Sequence, residues 1–407
     1  MQQINRALRR MISKRGGGIS DRAPVRLLPE KPANGRVLIS YATKVYHDLL
    51  QGKELDRTHV SAWQNFTSAR TLLDLGFEVD VFHFEESDHL PGGSFDVIID
   101  IVSNLSRLAK KQPADAVKIL FPMFAHWTVH NTRSYERHRA LAERRGVALL
   151  PKRLITPNDS VECADHIFCK GGKFGLGTYS YSQTPVMSIT QIRPQAIDEQ
   201  VQRDFERCRH NFIWIGGSSA VHKGLDLVLE AFAELPDLKL TVIGNVEQET
   251  GFAQLYRKEL FETANIQVVG WVDTLSQQFR EIVSNSVAIV APSATEMSCG
   301  SVVAGMMSGL IPVTTESTDI DVAGIGVSIS QDTVASVRDA VNEIAQAPAS
   351  ELAELSKAAR RASQERYGGD KFVTSFRRAI CEALRLPEAP EWAYPDEKIR
   401  IPKIELA

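Results

Sequence analysis

The sequence predicts an α/β protein of two parallel-sheet domains that face each other across a cleft, and three observations lead to that expectation. The 407 residues exceed the size at which one hydrophobic core usually keeps growing. Short apolar strands alternate with helical segments, which favours parallel sheets covered on both faces. A polar, proline-containing stretch around 193–209 interrupts the alternation. We therefore expect domains at 35–195 and 196–385, joined by a linker.

The first domain is predicted to begin with a buried strand at 36–40. Its further elements follow from apolar runs and helical periodicity. They are a helix at 63–75, strands at 77–84, 95–100, 117–122 and 164–168, and a helix at 133–145.

The second domain is predicted to begin with a strand at 212–216. Its further elements are a helix at 225–234, a strand at 239–244, a helix at 252–264, strands at 266–270, 287–291, 311–314 and 326–329, and long closing helices. The two halves share no residues at a fixed offset, so two tandem Rossmann-like domains would be a structural and not a sequence repeat.

Both ends of the chain are predicted to lie outside the domains. Residues 1–34 form a basic extension in which Ile4, Leu8 and Met11 recur at helical spacing beside several arginines. This pattern fits a basic amphipathic helix at a membrane surface, a frayed solvated terminus or a partner-docking helix. Residues 386–407 are rich in proline and are predicted to run over the surface as a tail.

The composition is that of an ordinary globular protein, with 43% hydrophobic and 24% charged residues. A net charge of -3 gives no reason to expect a nucleic-acid partner. The five cysteines include no CxxC pair, which indicates reduced thiols. Neither a membrane span nor a secretion signal is evident. We expect a cytoplasmic protein. The basic extension leaves open a peripheral contact with the inner membrane.

Two glycine-rich segments, 171–177 and 216–219, test for a dinucleotide site. Neither has GxGxxG spacing after a strand, and the sequence contains no Walker A motif. Binding of NAD or of a nucleotide through a P-loop is therefore not predicted.

The loop 216–224 is the first candidate site. It leaves a predicted parallel strand through Gly216 and Gly217 and carries Lys223 at the entry to the next helix. Exposed backbone N–H groups with a fixed positive charge suit a diphosphate. An ordinary loop with a solvated lysine is the simpler interpretation of this segment alone.

The loop 292–301 is the second candidate site. It brings the carboxylate of Glu296 to the start of a helix whose first N–H groups lie around Gly300 and Ser301. Such a carboxylate can bind sugar hydroxyls while the helix end attracts phosphate oxygens. The simpler alternative is a helix start that Ser298 merely caps.

Taken in order, these segments resemble the nucleotide-sugar domain of GT-B glycosyltransferases, especially glycosyltransferase family 4. Five ordered markers carry the resemblance between residues 216 and 313, and it extends weakly to Leu72–Val79 in the first half. The markers are the glycine loop with Lys223-Gly224, Val242-Ile243-Gly244, Val269-Gly270-Trp271-Val272, Pro292-Ser293-x-x-Glu296 and Gly309-x-x-Pro312-Val313.

The resemblance implies a role for each candidate residue. Lys223 would neutralise the donor diphosphate, and Glu296 would contact hydroxyls of the transferred sugar. In the first domain, His126 is the best match to a histidine near the reacting centre, with His130 as its competitor and a structural role as the alternative. Backbone contacts with the donor would come from Gly216, Gly217, Gly244, Ser298, Cys299, Gly300, Ser301 and Val302.

Two positions depart from the family pattern. Gly217 stands six residues before Lys223, where relatives typically carry an arginine. Ala304 stands eight residues after Glu296, where they carry a second glutamate. The first change removes a charge-assisted contact with phosphate, and the second removes an acceptor pair for the ribose hydroxyls. These losses indicate a divergent family member, which we favour, or a degenerate, non-catalytic copy.

The predicted function is transfer of a hexose-like sugar from a nucleoside diphosphate sugar to a hydroxyl of a glycan or lipid-linked acceptor. The resemblance implies a retaining reaction without a cofactor or an obligatory metal. Asp319-Ile320-Asp321 has the spacing of a metal motif but follows a different strand. A non-catalytic nucleotide-sugar-binding scaffold in polysaccharide assembly is the alternative, as is a sugar-nucleotide epimerase, which would act without an acceptor.

Overall fold

In a computed structural model of the chain, the described residues are 21–31, 34–56, 59–86, 92–191, 201–387 and 402–406. They form an eight-stranded and a six-stranded sheet, each flanked by helices. The predicted α/β class with two Rossmann-like halves is confirmed. The basic segment 1–20 lies outside the described residues, so its membrane contact stays a prediction.

The amino-terminal sheet has the strand order β14-β1-β3-β2-β4-β5-β6-β7, in which β2 to β7 are parallel. Its strands are β1 Val25–Leu28, β2 Arg36–Tyr41, β3 Glu78–His83, β4 Val97–Asp100, β5 Val117–Leu120, β6 His166–Cys169, β7 Val186–Ser188 and β14 Lys403–Leu406. The helices of this part are α1 Lys44–Leu50, α2 Val60–Asp74, α3 Leu105–Ala109, α4 Trp127–Arg145, α5 Ser160–Cys163 and α6 Lys173–Gly177.

The carboxy-terminal sheet is parallel throughout, in the order β10-β9-β8-β11-β12-β13. Its strands are β8 Asn211–Ile215, β9 Lys239–Ile243, β10 Ile266–Gly270, β11 Ala288–Ala291, β12 Ile311–Thr315 and β13 Val327–Ile329. The helices are α7 Phe205–Cys208, α8 Leu225–Ala233, α9 Thr250–Leu255, α10 Arg257–Phe261, α11 Gln277–Ser284, α12 Gly300–Met307, α13 Val334–Gln346 and α14 Ala349–Arg366.

The order of the carboxy-terminal strands reverses between β8 and its neighbour β11. Chain connections leave these two strands in opposite directions, which opens a crevice at their carboxyl ends. The loops that carry Lys223 and Glu296 follow β8 and β11, respectively. The topology therefore places both predicted site residues at one crevice.

The helix predicted at 252–264 is two shorter helices, α9 and α10, separated at Tyr256. The Tyr256 ring is buried and stacks on Phe252, with 4.7 Å between ring centroids. Tyr256 has non-helical backbone angles, which end the first helix while its ring stays in the core.

The last helix, α15 (Gly369–Ala383), returns to the amino-terminal sheet. Phe372 and Phe376 pack against Phe121 in that domain, with ring centroids 6.4 and 5.5 Å apart. The predicted range 196–385 assigned this helix to the carboxy-terminal domain. Its apolar side chains instead complete the core of the other domain.

Two segments predicted to lie outside the domains contribute the last two strands at one side of the amino-terminal sheet. β1 falls within the predicted extension 1–34, and β14 falls within the predicted tail 386–407. They pair with each other in antiparallel register, Val25 opposite Leu406, and β1 also pairs with β3. Val25 and Leu27 are fully buried, so hydrophobic burial anchors β1 to the sheet.

Helix α4 links the two domains. Its Leu141 is buried in the carboxy-terminal core, and Arg144 Nη2 lies 2.7 Å from Asp226 Oδ2. Arg137 Nη1 donates to the carbonyl of Pro292 at 3.0 Å. These contacts hold α4, a helix of the amino-terminal domain, against the carboxy-terminal domain and the loop after β11. Within the described ranges, no helix combines the length and apolar character that crossing a membrane requires.

Candidate active site

Glycines bring three loops close together at the carboxyl edge of the second sheet. A Cβ atom at Gly216 would lie 2.2 Å from the Trp214 ring, and one at Gly244 would lie 1.9 Å from the Gly216 carbonyl oxygen. The Gly244 N–H donates to the Gly270 carbonyl at 2.7 Å. Positions 216 and 244 therefore admit no side chain. The backbones of the three loops form the floor of the crevice.

The Lys223 and Glu296 loops are fastened to each other by hydrogen bonds. The Ala294 N–H donates to the His222 carbonyl at 2.7 Å, and His222 Nε2 donates to the Thr295 carbonyl at 3.0 Å. Gly224 has a φ of +74°, and a Cβ there would lie 2.3 Å from the Pro292 oxygen. These contacts fix the residues on both loops immediately beside the candidate pair.

Lys223 and Glu296 form a short ion pair, with 2.6 Å between Nζ and Oε1. The side chains are 16% and 10% exposed, so solvent screens the pair only weakly. Burial by itself raises the pKa of Glu296, but Lys223 and Arg153 outweigh it and hold the pKa at about 2. The carboxylate is therefore ionised at neutral pH. The structure brings these two residues together, while their roles toward a donor stay predictions.

The start of α12 offers fewer backbone donors than the sequence indicated. The Cys299 N–H points to the Thr318 carbonyl at 3.4 Å, and the Val302 N–H bonds to the Cys299 carbonyl at 3.1 Å. Ser298 adopts a left-handed φ of +54° that turns the chain into the helix. For the amides of Gly300 and Ser301, the described part of the chain supplies no acceptor. These two amides are the donors that remain for a ligand.

His126 lies in the amino-terminal domain and does not contact the ion pair. Its Nδ1 is 2.8 Å from Thr128 Oγ1, and its Nε2 is 3.1 Å from the Tyr181 hydroxyl. Burial lowers its pKa. The ring lines a small cavity together with Trp127 and Asn158. Both ring nitrogens are thus engaged within the amino-terminal domain, and the catalytic role of His126 stays a prediction.

His130, the competing histidine, bridges the domains. Its Nδ1 accepts from the Thr295 hydroxyl at 2.7 Å, and its Nε2 donates to the Arg153 carbonyl at 2.8 Å. Burial lowers the pKa of His130 to about 4, so the ring is neutral at pH 7. Both ring nitrogens are engaged by the protein, and this arrangement supports a positioning role.

Two cations at the cleft were not identified from the sequence. Arg153 Nη1 lies 3.4 Å from Glu296 Oε1, although its loop has no pattern that singles it out. Lys170 is 4% exposed, and its Nζ lies 2.9 Å from Gln64 Oε1. Burial lowers the pKa of Lys170 to about 7. Its position directly after β6, at the carboxyl edge of the sheet, is the sequence signal that was available.

Asp319 has a role other than metal binding. Its carboxylate accepts from the backbone N–H groups of Gly172 and Gly175. The glycine-rich segment 171–177 and the Asp319–Asp321 segment therefore meet each other across the cleft. Among the residues that the structure describes, no group of three His, Cys, Asp or Glu side chains is placed to hold a metal ion. The absence of a cofactor stays a prediction.

The two departures from the family pattern lie in contrasting surroundings. Gly217 is exposed, and a Cβ there would meet no atom within 4 Å. Ala304 is buried in α12 beside Met307. Position 217 therefore has room for a long side chain, whereas position 304 is part of the packed helix.

Comparison with known families decides the class of the second domain. Residues 209–350 match the family described as Glycosyl transferases group 1. This part of the chain is similar to the donor domain of that family. The predicted resemblance to group 1 glycosyltransferases is thus confirmed, and the matched range contains both loops of the ion pair. No curated protein sequence matches the chain.

Solved structures confirm the GT-B fold of this chain. Sucrose-phosphate synthase from Thermosynechococcus elongatus aligns over 86% of this chain and 99% of its own, with 11% identity and a TM-score of 0.57. HepE from Anabaena, in complex with UDP-glucose, aligns over 86% and 100%, with 12% identity and a TM-score of 0.54. WaaG, a glycosyltransferase involved in lipopolysaccharide biosynthesis, aligns over 86% and 99%, with 12% identity and a TM-score of 0.52. Alignment with TarM spans only 54% of that longer protein, at 13% identity.

Proposed function

We propose that the chain transfers a sugar from a nucleoside diphosphate sugar to a hydroxyl of a glycan or lipid-linked acceptor, with retention of anomeric configuration. The observation that carries the proposal is the Lys223–Glu296 pair, 2.6 Å apart at the switch point of the carboxy-terminal sheet. A cation and an ionised carboxylate side by side match the two halves of such a donor, an anionic diphosphate and a sugar rich in hydroxyl donors.

The donor would lie on the carboxy-terminal domain. Lys223 faces the diphosphate, whose negative charge grows on the leaving group as the glycosidic bond breaks. The free amides of Gly300 and Ser301 add hydrogen bonds and the positive end of α12. Glu296 accepts hydrogen bonds from the sugar. The crystal structure of HepE with UDP-glucose shows that a protein of this fold binds such a donor.

The acceptor would lie on the amino-terminal domain, near His126. His126 lies beside the exposed ring of Tyr181, 3.1 Å from its hydroxyl, and an exposed aromatic ring with a hydroxyl suits the face and hydroxyls of a sugar. Burial lowers the pKa of His126, which favours the neutral ring, and an acceptor hydroxyl that replaces the Tyr181 hydroxyl at Nε2 would exchange a hydrogen bond with it. The proposal includes no protein-bound metal.

Acceptor-dependent donor turnover tests the proposal. The chain would be incubated with UDP-, GDP- and dTDP-hexoses, with and without a polysaccharide and lipid-linked glycan fraction. Release of nucleoside diphosphate that requires the acceptor would support it. Isomerisation of the free nucleotide sugar without acceptor would instead identify an epimerase. Nucleotide-sugar binding with no turnover of any donor would identify a non-catalytic scaffold and contradict the proposal.

A further inference from the structure

The site around Glu296 carries more positive than negative charge. Lys223 Nζ and Arg153 Nη1 both face the same carboxylate oxygen, Oε1, at 2.6 and 3.4 Å. Glu296 and Lys223 are 10% and 16% exposed and Arg153 is 28% exposed, so the site is largely shielded from bulk water. Two cations that share one carboxylate leave about one unit of positive charge in surroundings where charge is costly without a counter-ion. The site is thus suited to an additional anionic group.

Arg153 is held in place and is not a loose surface side chain. Its guanidinium lies over the Phe124 ring, 5.1 Å from the centroid. Its carbonyl accepts from His130, whose other ring nitrogen accepts from the Thr295 hydroxyl, one residue before Glu296. The Arg153 loop of the amino-terminal domain is therefore fastened to the Glu296 loop of the other domain.

We propose that Arg153 is the second cation for the donor diphosphate, supplied across the cleft in place of the arginine that position 217 lacks. The inference rests on the proposed function. Position 217 is exposed and bears no side chain, whereas Arg153 already lies within reach of the same carboxylate as Lys223. A guanidinium suits this task because its planar fork binds phosphate oxygens in a bidentate manner.

This arrangement couples donor binding to the approach of the two domains. Lys223 belongs to the carboxy-terminal domain and Arg153 to the amino-terminal one, so a diphosphate that contacts both cations bridges the cleft. A nucleoside monophosphate lacks the second phosphate and cannot satisfy both cations equally. The diphosphate should therefore depend on Arg153 far more than the monophosphate does.

Calorimetry with paired nucleotides tests the assignment. Affinities of the preferred nucleoside diphosphate and of its monophosphate would be measured for the full chain and for Arg153→Gln. The diphosphate is expected to bind about 10- to 100-fold more weakly to the variant, the effect of removing a charge-assisted hydrogen bond, with little change for the monophosphate. Lys152→Gln is the matched control, because Lys152 is adjacent, exposed and near Glu249 instead.

A rescue variant separates a binding role from a structural one. Adding Gly217→Arg to Arg153→Gln is expected to restore most of the diphosphate affinity, because position 217 has free space for the side chain. Equal diphosphate binding by Arg153→Gln and the unaltered chain would overturn the inference and leave the proposed function intact. Equal weakening of both nucleotides without rescue would also overturn it. Failure of the unaltered chain to bind any nucleoside diphosphate would overturn the proposed function itself.

Discussion

The carboxylate of Asp319 accepts a hydrogen bond of 2.6 Å from the backbone N–H of Gly172, which joins the two domains. A second bond comes from Gly175 at 3.3 Å. A Cβ atom at Gly171 or Gly175 would lie 2.8 Å from Asp319 Oδ2, so glycine at these positions leaves the space that the carboxylate occupies. On the amino-terminal side, the residues of this contact directly follow Lys170 in sequence.

Removing the Asp319 carboxylate should weaken the contact between the domains. Asp319→Ala loses the hydrogen bonds that the carboxylate accepts from backbone donors, among them Gly172 and Gly175, and we expect the free energy of unfolding to fall by about 1–3 kcal/mol. The radius of gyration in solution, measured by small-angle X-ray scattering, should rise. Asp321→Ala is the control, because that carboxylate is 71% exposed. If Asp319→Ala leaves both the radius of gyration and the free energy of unfolding unchanged, the contact does not hold the domains together.

Lys170 should make the stability of the protein depend on pH. Burial lowers its pKa to about 7 in the folded chain, below the ordinary value of 10.5. Between these values the unfolded chain binds more protons, so the contribution of Lys170 to stability rises with pH, with a slope of up to about 1.4 kcal/mol per pH unit. Denaturant unfolding from pH 6 to pH 10 measures this slope.

Two lysine variants isolate that effect. In Lys170→Met the rise with pH should be smaller than in the unaltered chain. Lys173→Met, which changes an exposed lysine on α6, should leave the rise unchanged. Identical pH profiles for the unaltered chain and Lys170→Met would rule out a depressed pKa at this buried ammonium.

The basic extension is expected to bring the chain to anionic membranes. Its arginines lie beside Ile4, Leu8 and Met11 at helical spacing, an arrangement that combines electrostatic attraction with apolar insertion. Co-sedimentation with anionic liposomes should capture the full chain and capture much less of a variant lacking residues 1–18. Neutral liposomes serve as the control. Equal, negligible binding by both proteins would leave the segment as a plain terminus.

The central strands of both sheets were predictable because each is a continuous apolar run that ends at the carboxyl edge of a parallel sheet. The positions of Lys223 and Glu296 could be predicted for the same reason, since loops that follow adjacent parallel strands meet at one edge. The short strands β1, β7 and β14 at the two ends of the amino-terminal sheet were missed. β1 and β14 lie beside glycine- or proline-containing stretches, and three or four residues give little periodicity to detect.

Contacts between distant segments could not be predicted. The amphipathic pattern of α15 shows that one face is buried but does not say which sheet buries it. Arg153 and Glu296 are 143 residues apart in sequence, and nothing local to either one indicates the other. The surroundings of Lys170 likewise include Gln64 of α2 and Met123 after β5, both distant in sequence. These features arise from tertiary packing between distant segments, which the local pattern does not encode.

The different functions assigned to Lys223 and Glu296 test the account most directly. Lys223→Ala should weaken nucleoside diphosphate binding and lower kcat/KM, at a cost of about 2–4 kcal/mol in the transition state. Glu296→Ala should retain diphosphate affinity, because it removes only the contact with the sugar, and should still lower transfer. Lys258→Ala, an exposed lysine of the same domain, is the control. Calorimetry with the diphosphate and a transfer assay on each variant make the measurement. Lys223→Ala is expected to fail in both diphosphate binding and transfer, and Glu296→Ala in transfer alone. Loss of diphosphate binding by Glu296→Ala as severe as that of Lys223→Ala, or unchanged transfer in both variants, would contradict these roles.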